Sequence, residues 1–255
     1  MTDQRLAAIE AGASTADQRL VAAEAGVAGL TSHVGPVAQL SDRIGQVEKR
    51  GEFIRREMMF ELISRQGTPG GTAPIAIVSR IVDKARFAAA ADNMRVNLGC
   101  GHMPLADYIN VDTRELPGID VVSDVKDMPF EKNSLAEIHS AHMLEHFPLE
   151  ELRRVLLPYW VSLLRPGGRF TAIVPDADSM ILAYVAGGMS FDELREVTFG
   201  LQEYIGDQHY TMFSQGSLSE LLRAGGLAEV NIVAAGRRNG VCYEMEIEAI
   251  RPLVQ

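Results

Sequence analysis

The spacing of apolar residues divides the chain into two regions with different predicted structures. Over residues 1–66 apolar residues recur at heptad spacing, and residues 3–12 (DQRLAAIEAG) recur as residues 17–26 (DQRLVAAEAG) two heptads later. This period predicts an N-terminal α-helical coiled coil. Its seam is aliphatic throughout the first half: Leu6, Ile9, Ala13, Ala16, Leu20, Ala23, Val27, Leu30, Val34 and Val37.

The heptad pattern slips beside Gly35 and Pro36, where a proline is expected to kink or restart the helix. An alternative interpretation of residues 1–66 is one or two amphipathic helices that pack on the second region. The alanine-rich first half, however, has too little apolar area to dock firmly within a monomer. We therefore expect a homo-oligomer that forms through this coiled coil.

After a linker of helix- and strand-breaking residues at 67–72 (GTPGGT), the pattern changes to alternating strands and helices. A helix is predicted over residues 73–91. Strands are predicted at 95–98, 108–112, 119–124, 135–141, 169–174, 227–234 and 241–250, and later helices at 149–164, 191–202 and 216–224. Residues 73–255 are therefore predicted to form an α/β domain with a doubly wound, mostly parallel sheet.

Charge and cysteine content exclude several classes of protein. The net charge of −10 argues against a nucleic-acid partner, which requires a basic surface. The two cysteines, Cys100 and Cys242, have neither metal-ligand nor disulfide spacing, and this favours a reducing compartment. Without an apolar leader or a transmembrane-length apolar run, we expect a cytoplasmic protein.

The segment that follows the first predicted strand of this domain indicates a nucleoside cofactor. Gly99, Cys100 and Gly101 form a turn that brings the backbone close to a ligand, and Asp112 ends the next strand, where a carboxylate accepts ribose hydroxyls. The third glycine of a dinucleotide fingerprint is missing. A cofactor without phosphates therefore fits better than the NAD of a dehydrogenase.

Five motifs in order resemble those of the class I S-adenosylmethionine-dependent methyltransferases. They are Asn97-Leu-Gly-Cys-Gly101, Ile109-Asn-Val-Asp112, Ser123-Asp-Val125 with Met128-Pro-Phe130, Ser140-Ala-His-Met-Leu-Glu-His146, and Leu164-Arg-Pro-Gly-Gly-Arg-Phe170. The first two motifs and Leu-Glu-His are similar to a bacterial subgroup often linked with glycan or polysaccharide assembly. The family's first motif usually opens with an acid, for which this chain has Asn97.

The resemblance implies a Rossmann-like fold, S-adenosylmethionine as cofactor, and specific binding residues. The implied cofactor-binding residues are Asn97, Gly99, Cys100, Gly101, Asp112, Asp124, Val125, Met128 and His142. Methyl transfer to a hydroxyl gains from a base near neutral pKa, and three histidines lie in suitable segments. His209 is the first choice for base or substrate contact, and His142 and His146 are alternatives that instead shape the pocket or orient a helix.

Tyr210, Asp176 and Asp178 are expected to contact the acceptor, although both acids also fit solvated loop positions. No cluster in the sequence has the spacing of a metal site. A metal site formed by convergence of Asp176, Asp178 and His209 remains open. The leading hypothesis is O-methylation of a sugar hydroxyl on a glycan or glycan-linked acceptor, with a glycan-assembly protein as a further partner. The alternatives are a small-molecule N- or O-methyltransferase, and a catalytically inactive domain that serves as a coiled-coil scaffold.

Overall fold

The computed structural model describes residues 77–203 and 206–253, together with seven residues of the N-terminal region. The chain divides into two units, Met1–Thr68 and Pro69–Gln255. In the first unit the described residues are all helical and exposed: Leu40, Arg43, Ile44, Val47, Arg50, Gly51 and Ile54. The predicted seam before residue 40 and the linker at 67–72 lie outside the described residues.

The described part of the second unit is built around a sheet flanked by helices. The strands are β1 (Arg80–Ile81), β2 (Arg95–Leu98), β3 (Ile109–Asp112), β4 (Val121–Val122), β5 (Leu135–Ala141), β6 (Leu164–Pro175), β7 (Ala228–Asn239) and β8 (Cys242–Ile250). The helices are α1 (Lys84–Ala89), α2 (Leu149–Glu151, a π-helical turn Leu152–Leu156, then Leu157–Leu163), α3 (Ala177–Val185), α4 (Phe191–Phe199) and α5 (Gln215–Ala224). Short 3-10 turns span Ala91–Asn93 and Leu144–His146.

The strand order in the sheet is β1-β4-β3-β2-β5-β6-β8-β7. The five strands from β4 to β6 are parallel, and β1, β8 and β7 extend the sheet with antiparallel pairs. The chain moves outward from β2 in both directions, to β3 on one side and to β5 on the other. In open α/β sheets such a reversal of strand order places a ligand-binding crevice at the carboxyl ends of the adjacent strands, here β2 and β5.

The central strands are buried on both faces of the sheet. All four residues of β3 are buried, and three of the four in β2 are, as expected for strands covered on both faces. Helix α2 buries Leu152, Trp160 and Leu163 among others, and the Trp160 indole N–H donates to the Val125 carbonyl at 2.8 Å. Helix α5 starts with a capping box at Ser214.

Most predicted elements are confirmed, with several differences. The strand predicted over 119–124 spans only Val121–Val122. The helix predicted over 73–91 is wrong in its described first part, because Arg80–Ile81 pairs with β4 and the helix begins only at Lys84, after its Asp83 cap. The fifth predicted strand starts earlier, at Leu164, which pairs with Leu135. Helix α3 was not predicted at all. None of the helices that the structure describes combines the length and apolar character needed to cross a bilayer.

Candidate active site

The glycine turn after β2 has a backbone conformation that favours glycine. Gly99 and Gly101 have φ values of 61° and 52°, in the left-handed region. A Cβ on Gly99 would lie 2.7 Å from the Met143 sulfur, so the turn packs directly against the segment that follows β5. The absence of a Cβ at Gly99 therefore permits this close packing against Met143.

Asp112, at the end of β3, is buried and holds the turn in place. Its Oδ2 accepts the Gly101 N–H at 2.9 Å, and its Oδ1 accepts the Arg114 backbone N–H at 2.9 Å and Nε at 3.0 Å. Burial raises the pKa of this carboxyl, but the Arg114 and Gly101 donors outweigh it and bring the pKa below its usual value. Since a carboxylate oxygen has two lone pairs, Oδ2 retains one for a further donor.

The structure gives Asn97 a bracing role beneath the turn. It is buried, and its amide nitrogen donates to Asn110 Oδ1 at 3.0 Å and to the Met103 carbonyl at 3.3 Å. Asn110 in turn accepts the Leu105 N–H and donates to Asp120 Oδ2, at 2.8 Å and 3.2 Å. This buried network fixes the 99–108 loop, and the sequence motifs did not predict it. The sequence feature that indicates it is a polar residue, Asn97, between the apolar Val96 and Leu98 of β2.

The remaining predicted cofactor residues differ in how deeply they are buried. Cys100 is buried against Ile119 and Val122, and burial, with nearby carboxylates, raises its pKa to about 12. Val125 and Met128 belong to the main core. Asp124 is half-buried and accepts the Lys126 N–H at 2.9 Å.

His142 lies between two buried carboxylates at the end of β5. Its Nε2 is 2.9 Å from Glu244 Oε2, and its Nδ1 is 3.4 Å from Glu145 Oε1. Burial lowers the pKa of the imidazole, but the two carboxylates outweigh it and raise the pKa to about 9. His142 is therefore an imidazolium at neutral pH and has no lone pair for a general base. Glu244 comes from β8, far away in sequence, and no local signal pointed to it.

His146 and His209 come together although 62 residues separate them. Their ring centroids are 4.7 Å apart in an edge-on arrangement. His146 Nδ1 lies 3.2 Å from the Gln208 carbonyl, and His209 Nδ1 lies 2.7 Å from the Val197 carbonyl. A carbonyl only accepts, so each Nδ1 carries the proton. Desolvation by burial lowers the pKa of His209 below its usual value of 6.5, so the neutral imidazole is favoured at pH 7.

Backbone hydrogen bonds dock the segment that contains His209 onto the turn that contains His146. The N–H groups of Tyr210 and Thr211 both donate to the Glu145 carbonyl, at 2.8 Å and 3.2 Å. The Thr211 hydroxyl donates to the Phe147 carbonyl at 2.7 Å. A small, largely apolar depression beside His209, lined by Val197, Met212 and Phe213 among others, has no room for a water molecule.

The predicted substrate-binding residues have different environments. Tyr210 is exposed beside His209. Asp178 is exposed and accepts the Gln215 N–H at 3.1 Å. Asp176 is fully buried: it caps α3 through the Ser179 N–H and hydroxyl, and its Oδ2 accepts the Gly236 N–H at 3.0 Å. Neither acid joins His209 in the group of metal-ligating side chains that the described residues bring together.

Comparison with known proteins shows similarity at the level of structure. No protein-family model and no curated protein matches the sequence. The chain is similar to the solved structure of the S-adenosylmethionine-dependent methyltransferase SibL, with 20% identity, a TM-score of 0.36, and coverage of 51% of this chain and 34% of that one. The chain thus spans about a third of the length of that protein.

Two further solved structures are similar over a larger share of their length. One is the Burkholderia thailandensis 1,6-didemethyltoxoflavin-N1-methyltransferase with bound 1,6-didemethyltoxoflavin and S-adenosylhomocysteine (17% identity, TM-score 0.44, 66% of this chain, 74% of that one). The other is a SAM-dependent methyltransferase from Methanosarcina mazei (14% identity, TM-score 0.46, 68% of this chain, 100% of that one).

Proposed function

We propose that this chain is an S-adenosylmethionine-dependent methyltransferase. The observation that carries the proposal is the pairing of a left-handed Gly99–Gly101 turn with the buried Asp112 carboxylate at the point where the strand order reverses. Backbone close approach and a carboxylate with an unused lone pair are what a ribose-bearing cofactor requires there.

The described residues fit S-adenosylmethionine in a specific way. Asp112 would accept a ribose hydroxyl through Oδ2, the glycine turn would border the ribose and methionine portions, and the half-buried Asp124 would face the adenine. Glu145 and Glu244 place negative charge near a cationic cofactor, although His142 neutralises part of it. When bound, the cofactor supplies a methyl group already activated by its sulfonium, so the protein mainly positions the acceptor and excludes water.

The acceptor we propose is a sugar hydroxyl on a glycan or glycan-linked molecule; a small-molecule oxygen or nitrogen is the alternative. A neutral imidazole supports a hydroxyl acceptor, because its Nε2 lone pair can accept the hydroxyl proton as the oxygen attacks. His209 meets this condition, since its Nδ1–H is held by the Val197 carbonyl and burial lowers its pKa. His146 has the same tautomer and is its neighbour, whereas the charged His142 is better suited to holding Glu145 and Glu244 in place.

The N-terminal region would set the oligomeric state or bind a partner protein of glycan assembly. The described helical residues Leu40, Ile44, Val47 and Ile54 recur at heptad spacing and expose apolar side chains. This pattern supports self-association of residues 1–66 through a coiled coil.

Calorimetric titration of the full chain with S-adenosylhomocysteine tests the cofactor assignment. We expect one molecule of S-adenosylhomocysteine bound per chain with micromolar affinity. In a separate assay with methyl-labelled S-adenosylmethionine, we expect transfer of the labelled methyl group to glycan or small-molecule acceptors. Binding without transfer to any acceptor would favour the scaffold alternative. No binding by the folded protein would contradict the proposal.

A further inference from the structure

Three metal-ligating side chains converge beside the carboxyl end of β5. Glu145, His146 and His209 each offer one ligand atom, and these atoms all lie within 4.8 Å of one another. The first two belong to the 3-10 turn Leu144–His146, and the third is brought to them by the backbone bonds of Tyr210 and Thr211. The cluster does not coincide with the carboxylate that we assign to the cofactor.

The buried Glu145 carboxylate has a charged neighbour but no hydrogen bond within the described residues. The residue is 1% exposed, and neither carboxylate oxygen has a hydrogen-bond partner within the described part of the chain. Its nearest cationic neighbour is His142 Nδ1, 3.4 Å from Oε1. Burial of a carboxylate without hydrogen bonds carries a large free-energy penalty, which a directly bound cation would relieve.

Each imidazole has one ring nitrogen held by the backbone and the other left for a metal. The Nδ1–H of His146 donates to the Gln208 carbonyl and the Nδ1–H of His209 donates to the Val197 carbonyl. A metal would therefore be bound through Nε2 of each ring. In metal sites a backbone carbonyl typically holds the other ring nitrogen of a histidine ligand in this way, and fixes both its tautomer and its orientation.

We propose that Glu145, His146 and His209 bind a divalent transition-metal ion of the zinc type. Two imidazoles and one carboxylate suit Zn²⁺ and its first-row neighbours, whereas Mg²⁺ and Ca²⁺ favour oxygen ligands. Bonds of about 2.0–2.2 Å require these side chains to move slightly inward from their present spacing. Three protein ligands leave at least one coordination position open.

The open position gives the ion a role that rests on the proposed methyl transfer. An acceptor hydroxyl bound there would have a lowered pKa. In that case His146 and His209 would act as ligands of the ion, and the oxygen would need no histidine base to become nucleophilic. The metal site itself does not depend on this role.

The test is zinc binding by the full chain after treatment with a chelator. We expect calorimetry and elemental analysis to find one tightly bound Zn²⁺ per chain. Glu145→Gln and His209→Gln should each weaken binding by about 100-fold or more. His102→Gln, at an exposed histidine outside the cluster, is the matched control and should bind zinc like the wild type. Circular dichroism verifies that each variant is folded.

Absence of tight zinc binding by the folded wild type would overturn the proposal, as would undiminished binding in both cluster variants. The optical spectrum of the Co²⁺ form provides a second readout, since nitrogen and oxygen ligands around a four-coordinate ion give an intense visible band that His209→Gln should abolish. Titration with S-adenosylhomocysteine on the same samples separates the two proposals. Zinc binding without nucleoside binding contradicts only the methyltransferase assignment, and the converse contradicts only the metal site.

Discussion

The Oδ2 atom of Asp112 accepts a hydrogen bond from the Gly101 N–H at 2.9 Å, so the glycine turn and the carboxylate beside it stabilise one another. One contact thus joins the ends of two neighbouring parallel strands at the crevice. Any ligand that binds Asp112 also meets a turn that is already ordered, and this preorganisation lowers the entropic cost of binding.

We expect Asp112→Ala to weaken S-adenosylhomocysteine binding by about 100-fold. Hydrogen bonds from ribose hydroxyls to a charged acceptor contribute about 3 kcal/mol, and each 1.4 kcal/mol is tenfold in affinity. Calorimetric titration measures the change. Near-wild-type affinity in the folded variant would show that the ribose site lies elsewhere.

Arg114→Ala is the matched control for that experiment. It removes the guanidinium that bonds Asp112 Oδ1, but it leaves the carboxylate and its Gly101 contact. We therefore expect Arg114→Ala to bind the ligand within about threefold of the wild type, because a half-exposed ion pair contributes little. An equal loss in both variants would indicate that the arginine, too, contacts the cofactor.

We expect Gly99→Ala to destabilise the fold by about 2–4 kcal/mol. The left-handed φ costs about 1 kcal/mol, and the new Cβ would lie 2.7 Å from the Met143 sulfur, an overpacking that costs a further 1–3 kcal/mol or so. Urea denaturation measures this loss. Gly187→Ala is the control, since Gly187 shares a positive φ of 76° but has nothing within 4 Å of its Cβ position; it should lose only about 1 kcal/mol.

The charge on His142 predicts a specific pH dependence of stability. Its pKa in the folded chain is about 9, above the usual value of 6.5, because the Glu145 and Glu244 carboxylates outweigh the opposing effect of burial. Its stabilising contribution should be complete below pH 6.5 and should be lost as the pH rises through about 9. Urea denaturation from pH 6 to 10, with a chelator present, measures the trend.

His142→Gln is the comparison for the pH series. A glutamine keeps hydrogen-bonding capacity toward the two carboxylates and does not titrate, so the difference in stability between wild type and variant should shrink as the pH rises. Arg237, whose Nε is 2.6 Å from Glu244 Oε1, remains in both proteins. Parallel curves would show that the imidazole is neutral throughout.

The exposed helical residues of the N-terminal unit predict an oligomer that charge would dissociate. Ile44 and Val47 are exposed apolar residues three positions apart. In a coiled coil, Ile44→Glu with Val47→Glu places like charges in the seam and should yield monomers in sedimentation equilibrium. Arg43→Glu changes charge at the adjacent position and should leave the oligomer intact. A wild type that sediments as a monomer would contradict the coiled coil.

Local pattern was enough to predict the central strands. Leu135–Ala141 and Arg95–Leu98 have the predicted bounds, and the turn residues that follow each strand mark where it ends. The region before Lys84 differs because a two-residue strand, Arg80–Ile81, depends on pairing with Val121–Val122 rather than on its own sequence.

The site was predictable where neighbours in sequence form it and not where distant segments meet. Asp112 and the glycine turn follow consecutive strands, and the topology brings them together. The environment of His142 depends on Glu244, and that of His146 depends on His209, both of which come from much later in the chain. Asp176 follows a strand, as expected of a ligand-binding acid. It is instead buried, where it caps α3 through the Ser179 N–H and accepts the Gly236 N–H.

The carbonyl of Glu145 holds the Tyr210–Thr211 segment through main-chain atoms alone. This attachment does not involve the exposed Tyr210 side chain, whereas the Thr211 hydroxyl adds a bond to the Phe147 carbonyl. The residue at position 210 can therefore vary while His209 keeps its place, so the surface beside this histidine can change in evolution by single substitutions that leave the framework unchanged.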